Sequence, residues 1–306
     1  MTERLFDLNL LKTFDALWRE RNVTRAAERL GLTQPAVSNG LARLREVFSD
    51  ELFIRTPHGV APTDRCVSIA KDVQEALRHA ERAVQSASVF TAETSARAFR
   101  VASVDVFDVV FLPQMMERLA ALAPSIDLRT RDMERREALD LIDAGEIDVG
   151  FYKVGDAPKR IAMERIGVER LVLIARDGHP TINGPIDVET YAGAAHALFS
   201  LVGDAHGPID DKLAALGLKR RIAVTSAHVL TIGEIVRRSD IIASIPSRIA
   251  RRLVEMGGVK AYPTPIESGE MEIAMYWNRS ADADPGLAWF RDVIKTVCRE
   301  TPTYAP

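Results

Sequence analysis

The chain has 306 residues, 47% of them hydrophobic and 27% charged, so it reads as a soluble globular protein with enough apolar material for two or three domains. A formal net charge of -3 and a pI of about 6.1 exclude a globally basic nucleic-acid binder, and any contact with DNA must come from a local patch. The two cysteines, Cys66 and Cys298, are far apart and lack metal-ligand spacing, which argues against a disulfide framework and fits a reducing, cytoplasmic setting. The N-terminal "MTERLFDLNLL" has no basic region followed by an apolar run, and no stretch of about 18 apolar residues occurs, so neither a signal peptide nor a membrane span is expected.

The first predicted helix, 8–21, carries Leu10, Leu11, Phe14, Leu17 and Trp18 on one face. Next comes "TRAAERLGLTQPAVSNGLARLR", residues 24–45, in which Ala26, Ala27 and Leu30 form one apolar face and Val37, Leu41 and Leu44 another. Gly31 stands where a helix C-cap requires positive φ, and Leu32 is expected to fill the corner between two helices. Thr33 can cap the second helix with its hydroxyl, and Pro35 falls in the first turn, where a missing N–H costs nothing. That leaves Gln34, Ser38 and Asn39 pointing outward. Gly40 is unexpected inside a helix, where it costs roughly 0.5–1 kcal/mol relative to Ala, and the sequence alone offers no reason for it. The following "DELFIRTPHGVAPT", residues 50–63, alternates enough for two short strands around a turn at 57–59.

From 63 to about 89 there is no Gly or Pro, and Cys66, Ala70, Val73, Leu77, Ala80, Val84 and Ala87 step by alternating fours and threes. That is a heptad seam suited to dimerisation, although small residues at these positions also suit a helix lying on its own domain. Beyond a hinge-like "SASVFTAETSARA" the texture changes. Short β-rich runs such as "FRVASV", "IDLRTR", "IDVGFY", "RLVLIAR", "DIIASIP" and "MEIAMYW" alternate with helical stretches at 108–122, 134–143, 208–216 and 228–237, as an α/β domain with two subdomains requires.

The run from Phe14 to Thr63 resembles, along its whole length, the winged helix-turn-helix domain of LysR-type transcriptional regulators. The rest resembles the branch that includes NahR- and NodD-like regulators, on the strength of "FLPQMMERLAALAP", "GDAHG", "KRRIAVTSAHVLTIGEIVRRSDIIASIPSRIA" and "MYWNRSADADPGLAWFR". The resemblance implies a winged helix-turn-helix at 1–62, a linker helix for dimerisation at 63–90 with Val73, Leu77 and Val84 in its seam, and an effector domain at 91–306. That last domain would have the type II periplasmic-binding-protein fold, with subdomain I formed by 91–165 and 268–306 and subdomain II by 166–267. The chain would cross near 162–167 and return near 265–270, leaving a cleft at strand C-termini and helix N-termini.

Thr33, Gln34, Pro35, Ser38 and Asn39 are then expected at the groove-facing side of a recognition helix, with Arg55 on the wing. The chemistry agrees, since Gln pairs bidentately with adenine, hydroxyls serve bases or phosphates, and Arg suits a phosphate or a narrow minor groove. For the effector the resemblance implies Ser103, Asp105, Phe111, His206, His228, Arg248 and Trp277, with His206 and Arg248 converging on an anionic group of a small aromatic acid or phenol. Two departures bear on the pocket: Phe107–Asp108 replaces the branch's small residue and Glu, and the loop near 133–136 is short. The partners implied are double-stranded DNA, a small-molecule inducer and further copies of the chain as a homodimer or homotetramer, with no membrane, cofactor or metal. A ligand-independent regulator and an enzyme fused to a DNA-binding domain are the competing readings. The six histidines form no metal-spaced pair, no G-x-S-x-G, P-loop or H-E-x-x-H stretch occurs, and the order of Asp105 and His206 does not support nucleophilic catalysis.

Overall fold

The computed structural model describes residues 7–57, 59–86 and 90–303, with the backbone only at 78, 79 and 81–86. It divides into two units, Met1–Ser88 and Val89–Pro306.

In the first unit, α1 (Asn9–Glu20), α2 (Val23–Leu30) and α3 (Gln34–Phe48) precede a hairpin of β1 (Phe53–Thr56) and β2 (Gly59–Pro62), and α4 (Asp64–Ser86) closes the unit. Asn22 caps α2 by accepting from the N–H groups of Thr24 and Arg25. Gly31 ends α2 at φ 64, where only Gly escapes the Cβ penalty. There the N–H of Leu32 donates to the carbonyl of Ala27 at 2.9 Å. Leu32 is 50% exposed and does not fill the corner as expected. The shared core is built from Leu10, Leu11, Phe14 and Leu17 of α1, Ala26 and Ala27 of α2, and Val37, Leu41 and Leu44 of α3. Phe53 brings the hairpin onto it, its ring edge-on to Phe14 at 5.5 Å.

Two glycines here have a steric explanation. A Cβ on Gly40 would stand 3.1 Å from Thr13, a buried residue of α1, so the glycine sets how closely α1 and α3 approach. A Cβ on Gly59, at φ 138, would lie 2.2 Å from the carbonyl oxygen of Arg21, the oxygen to which the Val60 N–H donates at 2.8 Å. The wing is thereby pinned to the end of α1.

Helix α4 differs in part from the expected seam. Cys66, Ala70 and Val73 are buried in the core of their own unit and Leu77 packs on its edge, so Val73 faces inward here rather than outward. Their small and medium side chains fit the groove beside α1. The side chain of Val84 and the whole of Ala87 lie outside the described residues.

The second unit holds two five-stranded mixed sheets. The first has the order β4-β3-β5-β12-β6, from β3 (Ala98–Ser103), β4 (Asp127–Asp132), β5 (Val149–Lys153), β6 (Ile161–Glu169) and β12 (Met271–Asn278). The second has the order β11-β7-β10-β8-β9, from β7 (Leu171–Arg176), β8 (Ala195–Phe199), β9 (Arg221–Ser226), β10 (Ile242–Pro246) and β11 (Val259–Pro263). Helices α5 (Asp105–Leu122) and α6 (Arg135–Asp143) follow β3 and β4, and α11 (Pro285–Glu300) is the last helix among the described residues. In the second half come α7 (Val188–Gly193), α8 (Pro208–Ala215), α9 (Val229–Arg238) and α10 (Ser247–Glu255). Pairing is parallel within β4-β3-β5 and within β10-β8-β9, while β12 runs antiparallel to β5 and β6. The crossing between sheets comes later than the expected 162–167. Strand β6 stays paired with β12 from Ile161↔Asn278 to Glu169↔Met271, and Arg170 alone separates it from β7.

Candidate functional site

Helix α3 of the first unit is two-sided: Val37, Leu41 and Leu44 are buried, whereas Thr33, Gln34, Pro35, Ser38 and Asn39 are exposed around its N-terminal turns. The Thr33 hydroxyl oxygen accepts from the Ala36 N–H and so serves the helix itself. Arg55, on the exposed side of β1, lies in the same unit. An exposed helix N-terminus bearing amide and hydroxyl groups, in one unit with an exposed guanidinium on a hairpin, offers groups chemically suited to base edges and phosphates.

In the second unit a cavity of about 590 Å³ opens between the two sheets. Its floor is aromatic. Phe107 stacks on Phe111 at 4.4 Å and on Phe151 at 4.0 Å, all three lining the cavity, and Leu198, Phe199 and Ile249 face them from the other half. Both the size and the apolar lining are those of small-molecule sites. Phe107, one of the two departures noted in the sequence, is thus part of the wall.

Of the residues expected at the effector site, Phe111 and Arg248 line this cavity. Arg248 is already engaged: its Nη1 donates to the Glu169 carboxylate and to the Val168 carbonyl at 3.0 Å, and its Nε donates to the Thr301 carbonyl at 3.1 Å. Glu169 also accepts from the Ser247 hydroxyl at 3.0 Å. Both side chains of this ion pair are close to fully buried.

Ser103, Asp105, His206, His228 and Trp277 do not line the cavity, each for a visible reason. The Ser103 hydroxyl donates to Asp108 at 2.5 Å, and burial raises the Asp108 carboxyl above the usual carboxylate range. Asp105 accepts from the N–H of Val229 at 2.6 Å, joining the start of α5 to the start of α9. His228, exposed, precedes α9 and lies close enough to Asp132 to oppose the rise that burial and Asp105 cause in that carboxyl. His206 is exposed and shares a hydrogen bond with Asp211 at 2.9 Å. The Trp277 indole N–H donates to Asp282 at 2.6 Å, with Arg291 over its ring.

Sequence reasoning did not find Glu169, the partner of Arg248, nor a buried polar chain of Ser244, Tyr191, Arg220 and Asp210 beside the cavity. The sequence offered little signal for it, since Arg220 stands in the basic triplet Lys219-Arg220-Arg221 and Tyr191 follows the polar Glu189-Thr190, and burial, which obliges both to find partners, shows only in the fold. Burial pushes the thiols of Cys66 and Cys298 up to about 12, so neither is a reactive thiolate at neutral pH. Among the described residues no group of three or more His, Cys, Asp or Glu is arranged to hold a metal ion, and no helix is long and apolar enough to cross a membrane.

Residues 92–299 match the family described as LysR substrate binding domain, and residues 8–66 match the bacterial regulatory helix-turn-helix protein, lysR family. The chain belongs to the LysR family of transcriptional regulators. It is 32% identical over 300 residues to the HTH-type transcriptional activator NagR of Ralstonia sp., covering 98% of this chain and 100% of that protein. Identity to the activator NahR of Pseudomonas putida is also 32%, over 96% of this chain and 98% of the other. A solved probable transcriptional regulator from Pseudomonas aeruginosa superposes with a TM-score of 0.74 at 33% identity, over 96% of this chain and 97% of that one. The LysR regulator CbnR, at 17% identity and a TM-score of 0.61, shows the same fold. The family is one of DNA-binding regulators, not of enzymes, and both halves of its architecture are present.

Proposed function

We propose that this LysR-type regulator reads its operator with Gln34, Ser38 and Asn39 of α3, with Thr33 and Pro35 shaping the helix start and Arg55 of the wing on the DNA backbone or minor groove. It responds to an apolar, aromatic small molecule, carrying an acidic or phenolic group, held in the cavity between the two sheets. The protein works in the cytoplasm as a homodimer or homotetramer, two copies pairing through α4 at Leu77 and beyond it at Val84. The observation that carries the effector half is the aromatic cavity of about 590 Å³, lined from both sheets, so that a bound molecule biases how the two halves sit. Ser103, Asp105 and His228 act at the edge of that reading, where α5 meets α9, rather than as direct contacts.

Footprinting on the DNA upstream of the protein's own gene, with and without small aromatic acids, tests it. Gln34→Ala is expected to cost about 1–3 kcal/mol on the operator and little on random DNA. Arg55→Ala weakens both and flattens the salt dependence. Equal losses on operator and random DNA for Gln34→Ala would remove the base-reading role.

A further inference from the structure

We propose that the Ser244 hydroxyl is a hydrogen-bond-donating subsite of the cavity, its proton directed inward by a buried polar chain, and that the effector places an acceptor oxygen there. The inference rests on the reading of the cavity as the effector site and adds to it the polar chemistry the effector must carry.

The chain begins at Asp210, whose two oxygens accept from Arg220 Nε and Nη2, both at 2.8 Å. Arg220 is 5% exposed, and its remaining Nη1 donates to the Tyr191 hydroxyl oxygen at 2.8 Å. A guanidinium has no acceptor, so the direction of this bond is fixed. Tyr191 is completely buried and must place its own proton on some acceptor. Among the described residues the atom that meets it is Ser244 Oγ, at 2.8 Å. Ser244 Oγ therefore accepts, and its own proton remains free.

Ser244 lies in the cavity wall, in the company of Leu198 and Pro208. The same corner is anchored to the polar chain, because the residue before Pro208, Gly207, donates its N–H to Asp210 at 2.7 Å. Each donor in the series strengthens the next, since a hydroxyl that accepts from a polarised phenol becomes a better donor. The proton that emerges suits a carbonyl, carboxylate or phenolate oxygen. Arg248, one of the cations in the wall beside Arg135, Arg136 and Lys153, already holds Glu169 through Nη1, and the Ser244 corner adds an uncharged donor to the lining.

The test uses the full-length protein and two fluorescent probes of one shape, 6-propionyl-2-(dimethylamino)naphthalene and its 6-propyl counterpart, which lacks the carbonyl. Ser244→Ala is expected to weaken the ketone about fivefold and to leave the propyl compound within about twofold. Ser244→Thr, which retains the hydroxyl, keeps the ketone affinity. The emission of the bound ketone, sensitive to a hydrogen bond at its carbonyl, shifts to the blue in Ser244→Ala and not in Ser244→Thr. Unchanged ketone binding and emission in Ser244→Ala, or equal losses for both compounds, would overturn the donor subsite while the cavity reading stood. Ile273→Trp, which puts a larger ring into the cavity wall, should weaken binding of both probes. If neither probe binds the wild type, or both ignore Ile273→Trp, the cavity reading fails and the subsite falls with it.

Discussion

Lowering the pH from 7.5 to 4.5 should cost the second unit stability through one buried imidazole, His196. Its side chain is fully buried on β8. Its Nε2–H donates to the Tyr191 carbonyl at 2.8 Å, and its Nδ1 has no partner, so protonation would add a buried N–H with no acceptor. Burial, with the nearby Arg220 acting in the same direction, lowers its pKa from 6.5 to about 4. Because the unfolded chain binds the proton more readily, the stability is complete above pH 6.5 and is lost as the pH falls towards 4. The difference between the two values corresponds to roughly 3 kcal/mol in all. Urea unfolding in a Trp18→Phe background reports this unit alone, since Trp277 and Trp289 both lie within it. His196→Gln can still donate to the Tyr191 carbonyl and has no such titration. The difference in pH dependence between the two proteins isolates the imidazole from the carboxylates that also titrate at low pH. Stability curves that run parallel from pH 7.5 to 4.5, with His196 intact and with His196→Gln, would refute the reasoning.

Gly40→Ala should lower the melting temperature of the first unit, because overpacking against Thr13 costs about 1–3 kcal/mol against a helix-propensity gain of about 0.5–1; a rise would show that Thr13 yields. Arg248→Ala should destabilise the second unit by about 3–5 kcal/mol in urea unfolding, since it strands the buried Glu169 carboxylate. The double variant Arg248→Met with Glu169→Gln should recover much of that loss, and no recovery would mean that Arg248 acts by packing alone. His206→Ala, which removes an exposed pair with Asp211, should change probe affinity and stability within error, and a large loss of either would return His206 to the site.

The winged domain could be read far from any structure because its signals are local. Thr33 caps α3, Gly31 ends α2, and the apolar positions of α1 and α3 repeat with helical period, so each element is specified by its own few residues. What was missed there depends on neighbours distant in sequence. Gly40 makes sense only beside Thr13, 27 positions earlier in the chain and on another helix. The heptad of α4 looked the same whether its partner was a second subunit or its own α1. Periodicity reports an apolar stripe and not what covers it, and for Cys66, Ala70 and Val73 the cover is the unit's own core.

In the effector domain most of the short strands are legible from alternation and β-branched content, whereas β6 and β11 are not. The β6 run "IAMERIGVE" carries two Glu, an Arg and a Gly, because one of its faces is exposed along most of its length. Losing that strand also misplaced the crossing, and with it Glu169, which ends β6. The consequence reaches the chemistry of the site. Read alone, Arg248 is a free cation in an apolar wall and invites an anionic ligand. Once Glu169 and the carbonyls of Val168 and Thr301 are in place, most of its hydrogen-bonding capacity is spent inside the protein, and an acidic group beside it must compete with a carboxylate already bound. The polar selectivity of the cavity is therefore decided by which wall groups still have a proton or a lone pair to offer. That is a property of the whole hydrogen-bond network and of no single residue type, which is why a list of histidines and arginines could not supply it.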